Sequence, residues 1–292
     1  MKRNPLYGHL AFKAAYRFAN TFPRPVCQSL ASLLGRGSYA MIPEIREALR
    51  ANLSLVTGAT GTDLERLCRA NVSNFSKMLA DYFYCSSGDL SRIKPLLGEW
   101  RGFENLQAAR ERGKGTILVT GHLGNWELGG MLLALENMPM TVITLEEPST
   151  ELTQLRDQYR RKLDIKTIAI GSETFAFVEV INTLRNNGIV AMLVERPQEK
   201  SGTPVKFFGR ETLFSSGPAL LWQHTDAAVL PAFVLQKNDG RYLSFIDPAV
   251  PMQQDVSPRE ALVNNTQRLA TLFETIIRNH ADQWYNFVPI WK

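Results

Sequence analysis

The chain has 292 residues, 45% apolar and 21% charged, enough for one large domain or two small ones with a sizeable core, and this balance excludes a disordered chain. Its mean hydropathy of −0.15 is not that of a polytopic membrane protein, and three scattered cysteines, Cys27, Cys68 and Cys85, exclude a disulfide scaffold, supply no C-x-x-C pair for zinc, and make a reducing compartment the default. The net charge of +5 is unevenly placed: of 33 Lys/Arg and 28 Asp/Glu, residues 1–100 hold 13 and 7, leaving 20 and 21 for residues 101–292.

The basic excess begins at the N-terminus. Lys2, Arg3, Lys13, Arg17, Arg24 and Arg36 all precede the first acid, Glu44, and such a segment attracts an anionic surface. Leu6, Leu10, Ala14, Phe18 and Phe22 recur every four residues, with Lys13, Asn20 and Arg24 off that stripe. The pattern predicts a basic amphipathic helix, and residues 1–24 are expected to dock on an anionic membrane surface; a helix packed on its own domain would read the same way. A span is not expected, because the longest uncharged run, between Arg24 and Arg36, is eleven residues where about 18–20 apolar residues are needed. Lys13 and Arg17 likewise interrupt any signal-peptide core.

From Pro25 to about Ile93 the chain reads as helical, with Pro25 suited to a first turn, Asp63 to an N-cap, and Leu64, Leu67, Val72, Phe75, Leu79 and Phe83 near helical spacing. After Trp100 short β-rich runs alternate with helical ones. Strands are predicted at 116–120, 141–145, 167–170, 189–194, 229–235 and 242–246, and helices at 125–135, 150–163, 173–186, 216–225 and 258–280. The alternation implies an α/β fold, a mixed and mainly parallel sheet flanked by helices, with an N-terminal helical layer. No linker or repeat divides the chain. The expected organisation is one domain over 1–292, with a helical docking layer at 1–95 and an α/β catalytic core at 96–292.

Several chemistries lose their usual signals, since G-x-G-x-x-G, a Walker loop, H-E-x-x-H and G-x-S-x-G are all absent from the sequence. No metal, cofactor or nucleic-acid partner is expected, the basic N-terminus being too apolar for a DNA-reading face. The informative stretch is Thr116-Ile-Leu-Val-Thr-Gly-His-Leu-Gly-Asn-Trp-Glu127. A buried strand runs into Gly121-His122, Gly124 supplies a turn, and Asn125 is a good N-cap for a helix from Trp126. His122 therefore stands at the carboxyl end of a strand, where open α/β sheets bind ligands. Five positions on a continuous helix turn through about 500°, so Glu127 meets His122 only if the helix begins between them. A carboxylate there would bond one imidazole nitrogen and leave the other as a general base. No Ser or Cys nucleophile adjoins His122, which favours direct transfer over a covalent intermediate. Backbone N–H groups of Gly124 and Asn125 are the local candidates for holding an oxyanion.

Gly-His-Leu-Gly-Asn-Trp-Glu resembles the H-x-x-x-x-D/E block of the lysophospholipid acyltransferase superfamily, in the form found in the bacterial lipid A biosynthesis late acyltransferases. Glu104 to Gly115, Arg160-Arg161-Lys162, Val205-Lys-Phe-Phe-Gly209, Gly217 to Pro231, and the closing Ile276-Ile-Arg278 and Trp284 to Trp291 are similar to further blocks of that family, in the same order. The resemblance implies a glycerol-phosphate-acyltransferase-like fold and an O-acyltransferase at the cytoplasmic face of the inner membrane, peripheral or monotopic. The donor would be an acyl thioester of acyl carrier protein or CoA, the acceptor a lipid or glycolipid hydroxyl, with lipid A precursor foremost. His122 would deprotonate the acceptor, Glu127 would orient His122, and Gly124, Asn125, Arg160, Glu195, Arg196, Phe208 and Gly209 would bind substrate.

Two departures qualify the resemblance. Glu195 stands where many relatives have Asp, and Glu146-Glu147-Pro148 where relatives often have Arg-Pro. The second keeps acylation of another membrane lipid or a polyene open, beside a vestigial lipid-binding or carrier-binding module and a thioesterase. Glu195-Arg196-Pro197 should leave the same sheet edge as His122, its acid meeting an acceptor hydroxyl and its arginine a phosphate. Phe207, Phe208, Trp222, Phe233, Trp284, Phe287 and Trp291 read mainly as core, with one or two walling an acyl tunnel. His224 and His280 read as structural. Asp81 and Tyr82 lie in the helical layer with nothing in their spacing that requires contact with the acceptor.

Overall fold

Prolines and glycines divide the N-terminal third into helices. The computed structural model describes residues 9–145, 150–170, 176–197 and 202–291. Helix α1 spans His9–Thr21, α2 Arg24–Met41, α3 Pro43–Thr57 and α4 Gly61–Cys85. Pro25 and Pro43 sit in first turns, where the N–H that proline lacks has no intrahelical acceptor in any case, and α3 stops at Gly58 in the left-handed region. A four-residue α5 (Leu90–Ile93) leads into the sheet.

The main sheet has seven strands, β1 (Leu97–Arg101), β2 (Thr116–Thr120), β3 (Met140–Leu145), β4 (Ile165–Ile170), β5 (Ile189–Leu193), β8 (Ala228–Gln236) and β9 (Tyr242–Ile246), in the order β1-β9-β8-β2-β5-β3-β4. Every neighbouring pair is parallel except the β8–β9 hairpin. Helices α6 (Phe103–Glu111), α7 (Trp126–Leu135), α8 (Thr150–Arg161), α9 (Ala176–Arg185), α10 (Gly217–Thr225) and α11 (Pro258–Asn279) alternate with the strands. Central strand β2 shows why its residues are apolar without a break. Ile117 and Val119 enter one core with α3, α4, α9, α10 and α11, and Leu118 enters a second with α6, α7 and the end of α4, as a strand covered on both faces requires.

This is the mixed, mainly parallel α/β sheet with N-terminal helices that the alternation predicts. The predicted strands and helices match observed ones to within a few residues, although the helix predicted from 173 starts outside the described residues. Edge strand β1 and the separate hairpin of β6 (Gly202–Phe207) and β7 (Arg210–Ser215) were not anticipated. The period-two signal of β6 is nonetheless present, the buried Thr203, Val205 and Phe207 alternating with the exposed Pro204 and Lys206.

The N-terminal stripe differs from expectation in its placement. Among the described residues, twelve large hydrophobics are exposed and seven fall between residues 10 and 41: Leu10, Phe22, Val26, Leu30, Leu33, Leu34 and Met41. Most of the exposed apolar face thus belongs to α2, while Phe12 of α1 packs inward on Tyr82, Phe83 and Tyr159. Lys13, Arg17 and Arg36 are exposed beside it. Arg24 is not. Its guanidinium grips the fully buried Asp81 with two 2.8 Å hydrogen bonds and donates to the Gly240 carbonyl at 2.6 Å, so it belongs to the interior and not to a basic surface. Among the described residues no helix is long and apolar enough to cross a membrane.

Candidate active site

Two parallel strands bring the site together. In the register of β2 with β5, Thr120 pairs with Leu193, and the ladder continues with the Val194 N–H on the Thr120 carbonyl at 3.0 Å. Residues two further along each chain, His122 and Glu195, therefore emerge side by side. The His122 backbone N–H donates to Glu195 Oε1 at 2.5 Å, and the imidazole Nδ1 lies 3.3 Å from the same oxygen, within ion-pair reach though off the line of a straight hydrogen bond. The Glu195 side chain is 1% exposed and that of His122 is 23% exposed, so the carboxylate is sealed in while the imidazole remains reachable. Glu195 Oε2 accepts from the Trp284 indole at 2.8 Å and from Asn286 Nδ2 at 3.5 Å. Burial pushes this carboxyl up, but the His122 side chain, the Trp284 N–H and the His122 amide outweigh it and hold Glu195 below the usual carboxylate range.

Glu127 is not the partner of His122. It sits in the first turn of α7, after the break supplied by Gly124 and Asn125 as the motif predicts, yet its carboxylate turns to α8. There it accepts from Arg160 at 2.9 and 3.1 Å and from Arg156 at 3.2 Å. Among the described residues no hydrogen bond joins it to His122. Arg156 and Arg160 are four apart, hence on one face of α8, and two guanidiniums form a stronger counter-charge than one imidazole. Burial raises the Glu127 carboxyl and the two arginines more than offset it, leaving it lowered. The expected role of Arg160 toward substrate is corrected to this nine-tenths-buried ion pair. Arg156, one helical turn earlier, was missed although the i, i+4 spacing was visible. The Arg156 guanidinium also lies 5.7 Å from the Tyr82 ring centroid.

The turn between His122 and Glu127 is fixed by backbone contacts. The Gly124 N–H donates to the Gln283 carbonyl at 2.9 Å, the Asn125 N–H to Val234 at 2.7 Å, and Tyr285 N–H to the His122 carbonyl at 2.7 Å. The expectation that Gly124 and Asn125 amides hold an oxyanion is thereby overturned, because both already serve protein carbonyls. Gly124 is required for shape: its φ is +62°, and a Cβ there would collide with the Val234 carbonyl oxygen. Asn125 caps α7 through Leu128 N–H at 3.1 Å, and its Nδ2 faces the Tyr242 hydroxyl at 3.3 Å. That hydroxyl donates to Asp81 at 2.6 Å. A buried chain thus runs from Arg24 through Asp81 and Tyr242 to the cap of the turn after His122, a role for Asp81 that its spacing did not reveal.

Arg196 is exposed beside Glu195, in the left-handed region at φ +59°, a conformation that costs a non-glycine residue of order 1–3 kcal/mol. Phe208 and Gly209, expected to touch substrate, form the two-residue turn of the β6–β7 hairpin, both with positive φ as such turns need. The Phe208 N–H bonds Glu274 at 2.6 Å and Arg278 lies over its ring, so their motif is explained by hairpin geometry and packing on α11. Phe207, Phe233 and Trp284 are buried, while Trp222, Phe287 and Trp291 pack partly buried against the same core. Glu146-Glu147-Pro148 lies outside the described residues.

Comparison with known proteins agrees with the resemblance seen in the motifs. The chain is an acyltransferase. It belongs to the family described as bacterial lipid A biosynthesis acyltransferase, whose model matches residues 5–292. It is similar to the phosphatidylinositol mannoside acyltransferase of Mycolicibacterium smegmatis, at 27% identity over 99% of this chain and 94% of the relative. It is also similar to the protein of that name in Mycobacterium tuberculosis, at 29% identity over 84% of this chain and 77% of the relative.

Proposed function

We propose that the protein moves a fatty acyl chain from an acyl thioester of acyl carrier protein or CoA to a hydroxyl of a membrane glycolipid, with His122 as general base and Glu195 as its buried counter-charge. The observation that carries this reading is the His122–Glu195 pair at the carboxyl edge of β2 and β5, one partner sealed and the other reachable. With Nδ1 held toward Glu195, Nε2 takes the proton of the acceptor hydroxyl as its oxygen attacks the thioester carbonyl. The tetrahedral oxyanion then collapses, the carbon–sulfur bond breaks, and the imidazolium returns the proton to the departing thiolate. The products are an ester and a free thiol. First-turn N–H groups of α7, at Trp126 and Glu127, lack intrahelical acceptors as in any helix and are the candidates for stabilising the oxyanion. Trp126 stands 5.3 Å from His122, ring to ring.

The glycolipid acceptor is supported by the relatives, named for phosphatidylinositol mannoside, and by the family, named for lipid A. Arg196, exposed next to Glu195, suits an anionic group of such an acceptor. Glu127 acts as the anchor of Arg156 and Arg160 and not through His122. Docking on an anionic membrane by the exposed faces of α1 and α2, with Lys13, Arg17 and Arg36, fits peripheral attachment at the cytoplasmic face of the inner membrane. Hydrogen bonds from the N-terminal helices to residues 240–290 support one domain over 1–292, in which residues 1–95 dock and residues 96–292 hold the chemistry.

The test is transfer from radiolabelled acyl-CoA and acyl carrier protein thioesters to vesicles containing a lipid A precursor or a phosphatidylinositol mannoside. Labelled glycolipid that disappears with His122→Ala supports the reading. Release of free fatty acid alone, with no labelled lipid, would make the protein a thioesterase, and label in neither would leave a binding module.

A further inference from the structure

We infer that Trp284 is a positioning residue for the His122–Glu195 pair, and that the C-terminal segment carrying it, clamped by asparagines of the N-terminal helices, completes the site. The inference rests on the reading of that pair as base and counter-charge.

A glutamate has three side-chain torsions, and a carboxylate that must face a base is useful only if its rotation is stopped. Here each oxygen is assigned. Oε1 takes the His122 amide and faces the imidazole, and Oε2 takes the Trp284 indole at 2.8 Å. An indole N–H only donates, so it favours the ionised carboxylate and opposes protonation of Oε2. Trp284 is itself fully buried, which leaves the bond unscreened by water.

The backbone of Trp284 is pinned from two sides. Toward the site, it bridges Leu123 in antiparallel fashion, flanked by the Gly124–Gln283 and Tyr285–His122 hydrogen bonds. Toward the N-terminal layer, Asn71 of α4 donates to the Ala281 and Trp284 carbonyls at 2.9 and 2.8 Å. Asn52 of α3 donates to the Asn286 and Val288 carbonyls at 2.9 and 2.8 Å and accepts from Ile290 N–H at 3.3 Å. Both asparagines are at most 1% exposed, and each uses its buried amide N–H groups on these carbonyls, as buried side-chain donors generally must. The helices that contribute no acid or base to the pair thus hold it through this segment.

The full-length protein carrying Trp284→Phe keeps an aromatic ring, though a smaller one, and loses the N–H. We expect kcat to fall about 10- to 100-fold, as for loss of one hydrogen bond to a charged group, with donor KM unchanged. The acid limb of the pH–kcat/KM profile should move to higher pH, because the ionised form of Glu195 has lost a donor. On a Glu195→Gln background the same substitution should add little. In the unmutated protein, one of the five tryptophan indole protons should resonate downfield and move upfield in Glu195→Gln, a readout that needs no folded Trp284 variant. If Glu195→Gln transfers at the wild-type rate, the reading of the pair fails and this inference with it. If Glu195→Gln is inactive while Trp284→Phe has the wild-type kcat and pH profile, or no indole proton responds to Glu195→Gln, the positioning role alone is overturned.

Discussion

His122 and Glu195 lie 73 residues apart in sequence and share one carboxylate oxygen, Oε1, between the amide and the imidazole of the histidine. Their meeting is a matter of register, since each stands two residues past the paired Thr120 and Leu193. A one-residue slip would send one of the two to the other face of the sheet.

Removing the charge of Glu195 should therefore mimic loss of the His122 imidazole more closely than removing that of Glu127. Glu195→Gln and His122→Ala should each lower kcat by about 10² to 10⁴, and the double variant should be no worse than the poorer single one. Glu127→Gln combined with His122→Ala should instead give added losses. Steady-state kinetics of the four proteins separates the two carboxylates.

Stability should register both acids at low pH. Glu195 and Glu127 are held below the ordinary range in the fold, so each contributes stability that is fully present above the unfolded glutamate value of about 4.3. That stability is lost as pH falls through the lower folded value. Thermal melts followed by circular dichroism from pH 7 to pH 3 should show Tm dropping below about pH 4. Glu127→Gln should start lower, by roughly 3 kcal/mol for a broken buried pair, and decline less steeply.

Gly124 permits a test of the turn alone. Gly124→Ala meets both a left-handed φ and the Val234 carbonyl, and should cost at least ~2 kcal/mol and abolish transfer. Gly209→Ala, where nothing lies near an added Cβ, should cost only the strain of its positive φ, about 1–2 kcal/mol, and retain activity. Urea unfolding with the transfer assay checks both.

The basic residues of the N-terminal layer should divide by burial. Arg24→Gln leaves Asp81 buried without its cation and should destabilise by about 3–5 kcal/mol, and Tyr242→Phe by about 1.5–3 kcal/mol. Lys13→Gln and Arg17→Gln, both exposed, should leave Tm unchanged and weaken flotation with anionic vesicles about fivefold each. Leu33→Ser with Leu34→Ser should weaken the part of binding that survives high salt, and equal flotation of these variants and wild type would remove α2 from the docking face.

Local rules made much of the molecule legible. Period and turn chemistry set the order of helices and strands, the glycines and Asn125 set the break between His122 and Glu127, and the absence of acids before Glu44 marked the N-terminal layer. Glu195 was traceable to the same sheet edge as His122, because its strand was readable. Which acid faces His122 was not readable, since that depends on β2 lying beside β5 in a particular register and on α8 offering Arg156 and Arg160 to Glu127. Arg24 looked like a surface cation for the same reason: its partner, Asp81, is 57 residues away, and only helix packing brings them together. Trp284 joined the site from the chain's far end, through a buried hydrogen bond for which no local pattern codes. Short-range spacing determines what each segment becomes, but the partner of a buried charge is chosen by whichever opposite charge the packing delivers within about 3 Å, and that is a property of the assembled fold.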